Sequence, residues 1–113
     1  PGRRSRRPGS PHTAWRVAGF AAYADHLDSD EFGIAAAVLL ERAARQRTAI
    51  MCAERRWESC HRRLIADWLV AHGHDVGHLG DGDAPEQHHL PPFARVVGGR
   101  LVYDQAQPKL PLE

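Results

Sequence analysis

Lysine is all but missing from this chain: Lys109 is the single example among 15 basic residues. The excess of arginine reads as compositional bias without mechanistic weight. Methionine occurs once, as Met51, and the chain opens on Pro1, so the expectation is a trimmed or incomplete sequence. No apolar run approaches the roughly 18 to 20 residues that a membrane span needs, and no basic start followed by an apolar core marks a signal peptide. Those two absences predict a cytoplasmic protein whose two cysteines are reduced rather than bridged. Net charge is also nearly absent, at +1 over 113 residues. No global field therefore draws the chain to nucleic acid, although PGRRSRRPGS sets Arg3, Arg4, Arg6 and Arg7 close together with no acid near them.

A length of 113 residues supports one modest core. Three regions are expected: a basic, flexible arm over residues 1–17, a single α/β domain over 18–104 and a flexible tail over 105–113. The arm is rich in Pro, Gly, Ser and Arg, with Trp15 as its one large apolar anchor, a composition that argues against a packed element. Phe20, Tyr23, Ala24 and Leu27 recur at i, i+3, i+4 and i+7, predicting a short amphipathic helix. Asp28 with Glu31 resembles a capping box for a second helix, carried by Phe32, Ala35, Val38, Leu39 and Arg42 to about Arg45. Residues 48–52, TAIMC, read as a buried strand. The polar loop 53–59 follows, then a helix from about Cys60 to Ala71 with Ser59 as N-cap and Gly73 at the left-handed position that closes it. Leu64, Ile65, Trp68 and Leu69 form its buried stripe. Residues 75–79 read as another strand, giving a strand, crossover helix, strand unit of the kind that is almost always parallel and right-handed. Residues 80–92 form an acidic, then histidine-bearing loop. RVVGGRLVYD, residues 95–104, predicts a hairpin turning at Gly98-Gly99. No internal repeat is present.

Chemistry gathers at residues 48–79. In an open parallel sheet ligands lie beyond the carboxyl ends of the strands, where the loop 53–59 would sit. The first turn of the following helix holds His61, Arg62 and Arg63 where the dipole favours acids. Two readings fit: an anion bound by Arg62 and Arg63 at the helix N-terminus, or arginines paired with Glu54 and Glu58. Cys60 at the helix start has its thiolate favoured by the dipole and neighbouring cations; the alternative is a small buried residue at a tight junction. Cys60 and His61 diverge by about 100° on a helix, so Cys52 facing His61 is the better dyad, with Glu54 as general base or orienting carboxylate. A metal site would take Cys52, Cys60 and His61, with Glu54, His88 or His89 as the fourth donor. His72, His74 and His78 are expected on exposed helix and strand ends, and Asp81 and Asp83 in a solvated turn.

MCAERRWESCHRRLIADWLVAHGHDVGHL resembles the signature of the domain of unknown function 488 family (DUF488): Cys-Ala-Glu, a short spacer, then Cys-His-Arg opening a helix. SPHTAWRVAGFAAYADHL, residues 89–94 and the hairpin end Val102-Tyr103 agree with it. The resemblance implies an α/β domain with a small, largely parallel sheet flanked by helices in a three-layer, Rossmann-like arrangement. It also implies a site of residues matching Cys52, Glu54, Cys60, His61 and Arg62. Family members carry a further N-terminal strand-helix-strand portion that nothing here matches, so this chain is expected to be the C-terminal part of a family domain.

Two functions follow as expectations. One is a thiol- or anion-dependent enzyme, with Cys52 or Cys60 as nucleophile or redox centre. The other is a non-catalytic module that binds a phosphate-bearing ligand or nucleic acid through Arg62, Arg63 and the arm, with salt-sensitive affinity. The tail segment QPKLPL, running from Gln107 to Leu112, resembles the peptide by which bacterial proteins bind the sliding clamp, with Pro108 where a leucine is usual. That resemblance would tie the chain to DNA replication or repair.

Overall fold

The computed structural model describes residues 6–104 apart from 81 and 83. Arg3, Arg4, Asp81, Asp83 and the clamp-like segment 107–112 lie outside the described residues. Among the described residues the chain is mixed α/β, with three α-helices and two small antiparallel hairpins.

Helix α1 spans Ala18–Leu27 and α2 spans Asp30–Arg45. The break between them is made by Ser29, whose hydroxyl accepts from the Phe32 amide at 3.1 Å and so caps α2. The N-cap is thus Ser29, one residue after the expected Asp28. Asp28 is committed elsewhere, to His12 at 2.7 Å and to Arg100 at 3.3 Å. Helix α3 spans Arg62–Ala71, and Gly73 ends it at φ +88. Its closing bonds run from the Gly73 amide to Val70 O and from the His74 amide to Leu69 O, which is the Schellman pattern that favours glycine there.

The expected parallel unit is not formed. Residues 48–52 adopt no strand, and of the five only Ile50 is even half-buried. Instead β1 (Gly77–His78) pairs antiparallel with β2 (Glu86–Gln87), placing His78 opposite Glu86. An apolar run becomes a strand only where a neighbour satisfies its amides and carbonyls, and among the described residues none lies beside 48–52. A Rossmann-like layered sheet is accordingly absent among the described residues. The second hairpin forms as expected, β3 (Arg95–Val97) against β4 (Arg100–Val102), with both turn glycines at positive φ.

The core lies between α1, α3 and the second hairpin. Leu101 of β4 and Tyr103 just beyond its end are buried beside Phe93, while Val96 and Val97 are exposed. Trp15 stands edge-on to Phe20, Phe93 and Tyr103. Residues 6–17 contain no helix or strand, yet they are part of this core: His12 is 1% and Trp15 5% exposed. Ring area is one reason, and hydrogen bonding is the other. The Ala14 amide bonds to Tyr103 O, the Arg7 amide and the Ser10 hydroxyl both bond to Asp25, and His12 Nδ1 accepts from the Tyr103 amide. Composition speaks against a packed segment here because it does not register contacts made across 90 residues of chain.

Replacing Ser29 by Ala should lower the unfolding free energy by about 1 kcal/mol, the usual value of an N-cap. Urea denaturation measures it, and an unchanged midpoint would show that Ser29 is not the cap.

Candidate functional site

The loop between residues 52 and 60 turns back through a short 3-10 helix, Trp57–Ser59, closed by bonds from the Ser59 amide to Arg56 O and from the Cys60 amide to Trp57 O. This reversal brings Cys52 against Cys60, and the two are joined as a disulfide. A reduced pair was expected; the reversal of the loop, invisible in the spacing, is what makes them partners. Cys52 is exposed and Cys60 buried. The Cys60 sulfur stands where an N-cap oxygen would, accepting from the Arg62 amide at 3.4 Å, so the expected cap Ser59 takes no part in α3. His61 is the residue before the helix.

The other expected site residues take separate directions. Glu54 is exposed, and its carbonyl, not its carboxylate, accepts from the Arg62 guanidinium at 2.7 Å; the Arg55 carbonyl accepts from the same nitrogen at 3.3 Å. Arg62 thereby fastens the loop to the helix that follows it. Arg63 lies over the Trp15 ring, 4.9 Å from its centroid. His61 stacks on Tyr23, with ring centroids 4.4 Å apart, which takes its ring toward α1. His88, one of the three residues expected as a fourth metal donor, bonds instead to Asp67. Among the described residues no group of three or more His, Cys, Asp or Glu side chains is arranged to hold a metal ion.

A second constellation was not anticipated. Asp67 is fully buried on the inner face of α3. Tyr103 donates its hydroxyl to Asp67 Oδ2 at 2.6 Å, and His88 Nε2 meets Oδ1 at 2.6 Å. His88 Nδ1 in turn lies 2.7 Å from His78 Nε2. Helix α3, the first hairpin and the end of the second hairpin each supply members, and the bond from the His88 amide to Val76 O extends the β1–β2 pairing far enough to align the two histidines. Trp57 stacks on His78 with centroids 3.9 Å apart and planes 6° from parallel, and its indole N–H reaches Glu86 at 3.3 Å. The cysteine loop is thus laid against the first hairpin.

The sequence held one signal for this relay. Leu64, Asp67, Trp68 and Ala71 are spaced i, i+3, i+4 and i+7, so Asp67 falls on the apolar stripe itself. A carboxylate there must find partners, because burying it unpaired is costly. Nothing in the sequence says that those partners are His88 and Tyr103.

Burial, reinforced by the Asp67 charge, pushes the Tyr103 phenol far above its ordinary range, so it stays protonated and donates. Burial first and His88 second lower the His78 pKa from 6.5. Beside these, a groove of 640 Å³ opens between α2, α3 and β1, with Leu39, Ala43, Ile50 and Leu69 as apolar walls and Arg62 and His78 among its polar ones.

Two outcomes are expected. Tyr103→Phe leaves one Asp67 oxygen buried without its donor and should cost about 1 to 3 kcal/mol; a loss below about 0.5 kcal/mol in urea unfolding would mean the bond contributes little. For His78 the folded chain resists protonation more than the unfolded chain does. The unfolded state therefore takes up more protons as pH falls below about 6.5, and stability falls with it. His78→Gln should remove that part, so acidification from about pH 7 to about pH 5 should destabilise the parent more than the variant. Equal losses would rule it out. The groups facing His78 are His88, Glu86 across the strand pair, Glu58 and Arg62.

No helix among the described residues is long and apolar enough to cross a membrane. No curated protein and no solved structure matches the chain. One family model does match, over residues 1–69, a span that holds both cysteines, Arg62 and Asp67 and stops before His78, His88 and the second hairpin. With more than half of its 113 residues matched, the chain belongs to the family described as Domain of unknown function DUF488.

Proposed function

We propose that this DUF488 chain is a thiol-dependent redox enzyme whose reacting groups are Cys52 and Cys60. The observation that carries the reading is the meeting of the two sulfurs at the start of α3, one exposed and one buried. Exposure divides the roles. In the dithiol form the Cys52 thiolate attacks one sulfur of a substrate disulfide, forming a mixed disulfide and releasing the other substrate sulfur as a thiolate. Cys60, deprotonated, then attacks Cys52 Sγ; the Cys52–Cys60 bond forms, the mixed disulfide breaks, and the second substrate thiolate leaves. Two electrons pass from the chain to the substrate, the two protons of the cysteine thiols end on the substrate thiols, and a dithiol reductant resets the pair.

The surroundings support thiolate chemistry at Cys60. The Arg62 amide points at its sulfur at 3.4 Å, and the α3 dipole and the Arg62 charge favour the anion. Arg62 also holds the loop through the Glu54 and Arg55 carbonyls, which keeps Cys52 within reach of its partner. Such a cycle suits a cytoplasmic setting in which dithiol reductants are abundant. The binding-module reading draws less support, because Arg63 lies over the Trp15 ring and the Arg7 guanidinium stands 3.9 Å from the Asp28 carboxylate.

The test is alkylation of the reduced chain followed by mass spectrometry across pH. One cysteine should titrate well below the ordinary thiol value of about 8.5, and Cys52→Ser should abolish reduction of a small aromatic disulfide while leaving the fold intact. Two thiols titrating at or above about 8.5, with disulfide reduction unaffected by either serine substitution, would sink the proposal.

A further inference from the structure

We propose that the groove between α2, α3 and β1 is a second reactive site, in which His78 accepts a proton from a small amphipathic ligand whose anionic group is held by Arg62. Its volume of 640 Å³ falls within the range of small-molecule sites, which pair mostly apolar walls with a few placed polar groups. Leu39, Ala43, Ile50 and Leu69 suit an apolar body. Among the described residues the hydrogen bonds of Arg62 go to carbonyl oxygens rather than carboxylates, so its charge is left for a carboxylate or phosphate on the ligand.

The relay fixes the proton positions. Tyr103 donates to one oxygen of Asp67; the other, carrying only lone pairs, must receive its proton from His88 Nε2. A neutral His88 ring then has a bare Nδ1, which accepts from Nε2–H of His78. His78 is left with Nδ1 as its bare nitrogen. A ligand O–H, N–H or S–H that gives its proton to that nitrogen keeps the bonding pair as an anion. The imidazolium formed at His78 is compensated by the Asp67 carboxylate through His88. Asp67, His88 and Tyr103 are positioning residues for this step, while Trp57, stacked on the ring, holds its plane. The lowered basicity of His78 keeps it unprotonated near neutrality, with His88, Glu86, Glu58 and Arg62 as the charged or titratable groups that face it. No atom of the relay belongs to a cysteine; Arg62 and Trp57 are the residues that this site shares with the cysteine loop.

The first readout is the long-range nitrogen–proton correlation spectrum of the imidazole rings of the full chain, with His78→Gln supplying the assignment. A neutral His78 carrying its proton on Nε2 is expected; a proton on Nδ1, or a charged ring at neutral pH, would overturn the relay. The second uses phenyl phosphate as the probe and carbethoxylation of His78 by diethyl pyrocarbonate, followed by mass spectrometry, as the reporter. At a probe concentration ten times its dissociation constant the modification should slow about tenfold. Arg62→Gln should lose that protection while the tautomer signals stay in place. Modification of His78 indifferent to the probe, or protection unchanged by Arg62→Gln, would overturn the site.

Discussion

A carboxylate buried in an apolar core governs the arrangement of this small protein. Asp67 is completely inaccessible, and an uncompensated charge at such depth would be costly enough to unfold a domain of this size. Its two oxygens are satisfied by Tyr103 and His88, each at 2.6 Å, and those partners come from different hairpins. Meeting the demands of one carboxylate therefore ties the second hairpin to α3 and draws the first hairpin against it. Pairwise attraction alone does not explain the strength of that constraint. Removing any partner exposes a larger penalty than the bond itself contributes.

The same cluster connects the two chemical regions. His78 bonds to His88 and is covered by Trp57, which belongs to the loop that carries the cysteines. Arg62 fastens that loop to α3 and also lines the groove that His78 borders. The cysteine pair and the histidine relay thus share a scaffold while using different atoms. Asp28 plays a comparable part at the other end of the molecule, where it pairs with His12 and Arg100. It joins residues 6–17 and the second hairpin to the turn between α1 and α2.

Much of the local structure was legible. The i, i+3, i+4, i+7 spacing from Phe20 marks α1, Gly73 marks the end of α3 and Gly98-Gly99 marks the second hairpin, because each is decided by contacts within a few residues. Ser29 in place of Asp28 as the cap is a near miss of the same local kind. For the candidate site, the sequence placed Cys52, Glu54, Cys60 and Arg62 at one loop-helix junction, where the fold also has them, whereas His61 turns to Tyr23 and Arg63 to Trp15. The strand expected at residues 48–52 is absent for a nonlocal reason, since apolar and β-branched content raises strand propensity but does not supply a neighbour to bond with.

By itself, then, the sequence determined the three helices, the second hairpin, the membership in DUF488 and the junction that holds the cysteines. All of these follow from short-range periodicity, turn chemistry or a continuous motif. Tertiary structure alone decided that Cys52 and Cys60 are partners, that the sheet is two separate hairpins, and that Asp67, His88, His78 and Tyr103 form one relay. These last four are separated by 10 to 36 positions along the chain. Only the closing of a core around a charge that must be satisfied brings them within hydrogen-bond distance.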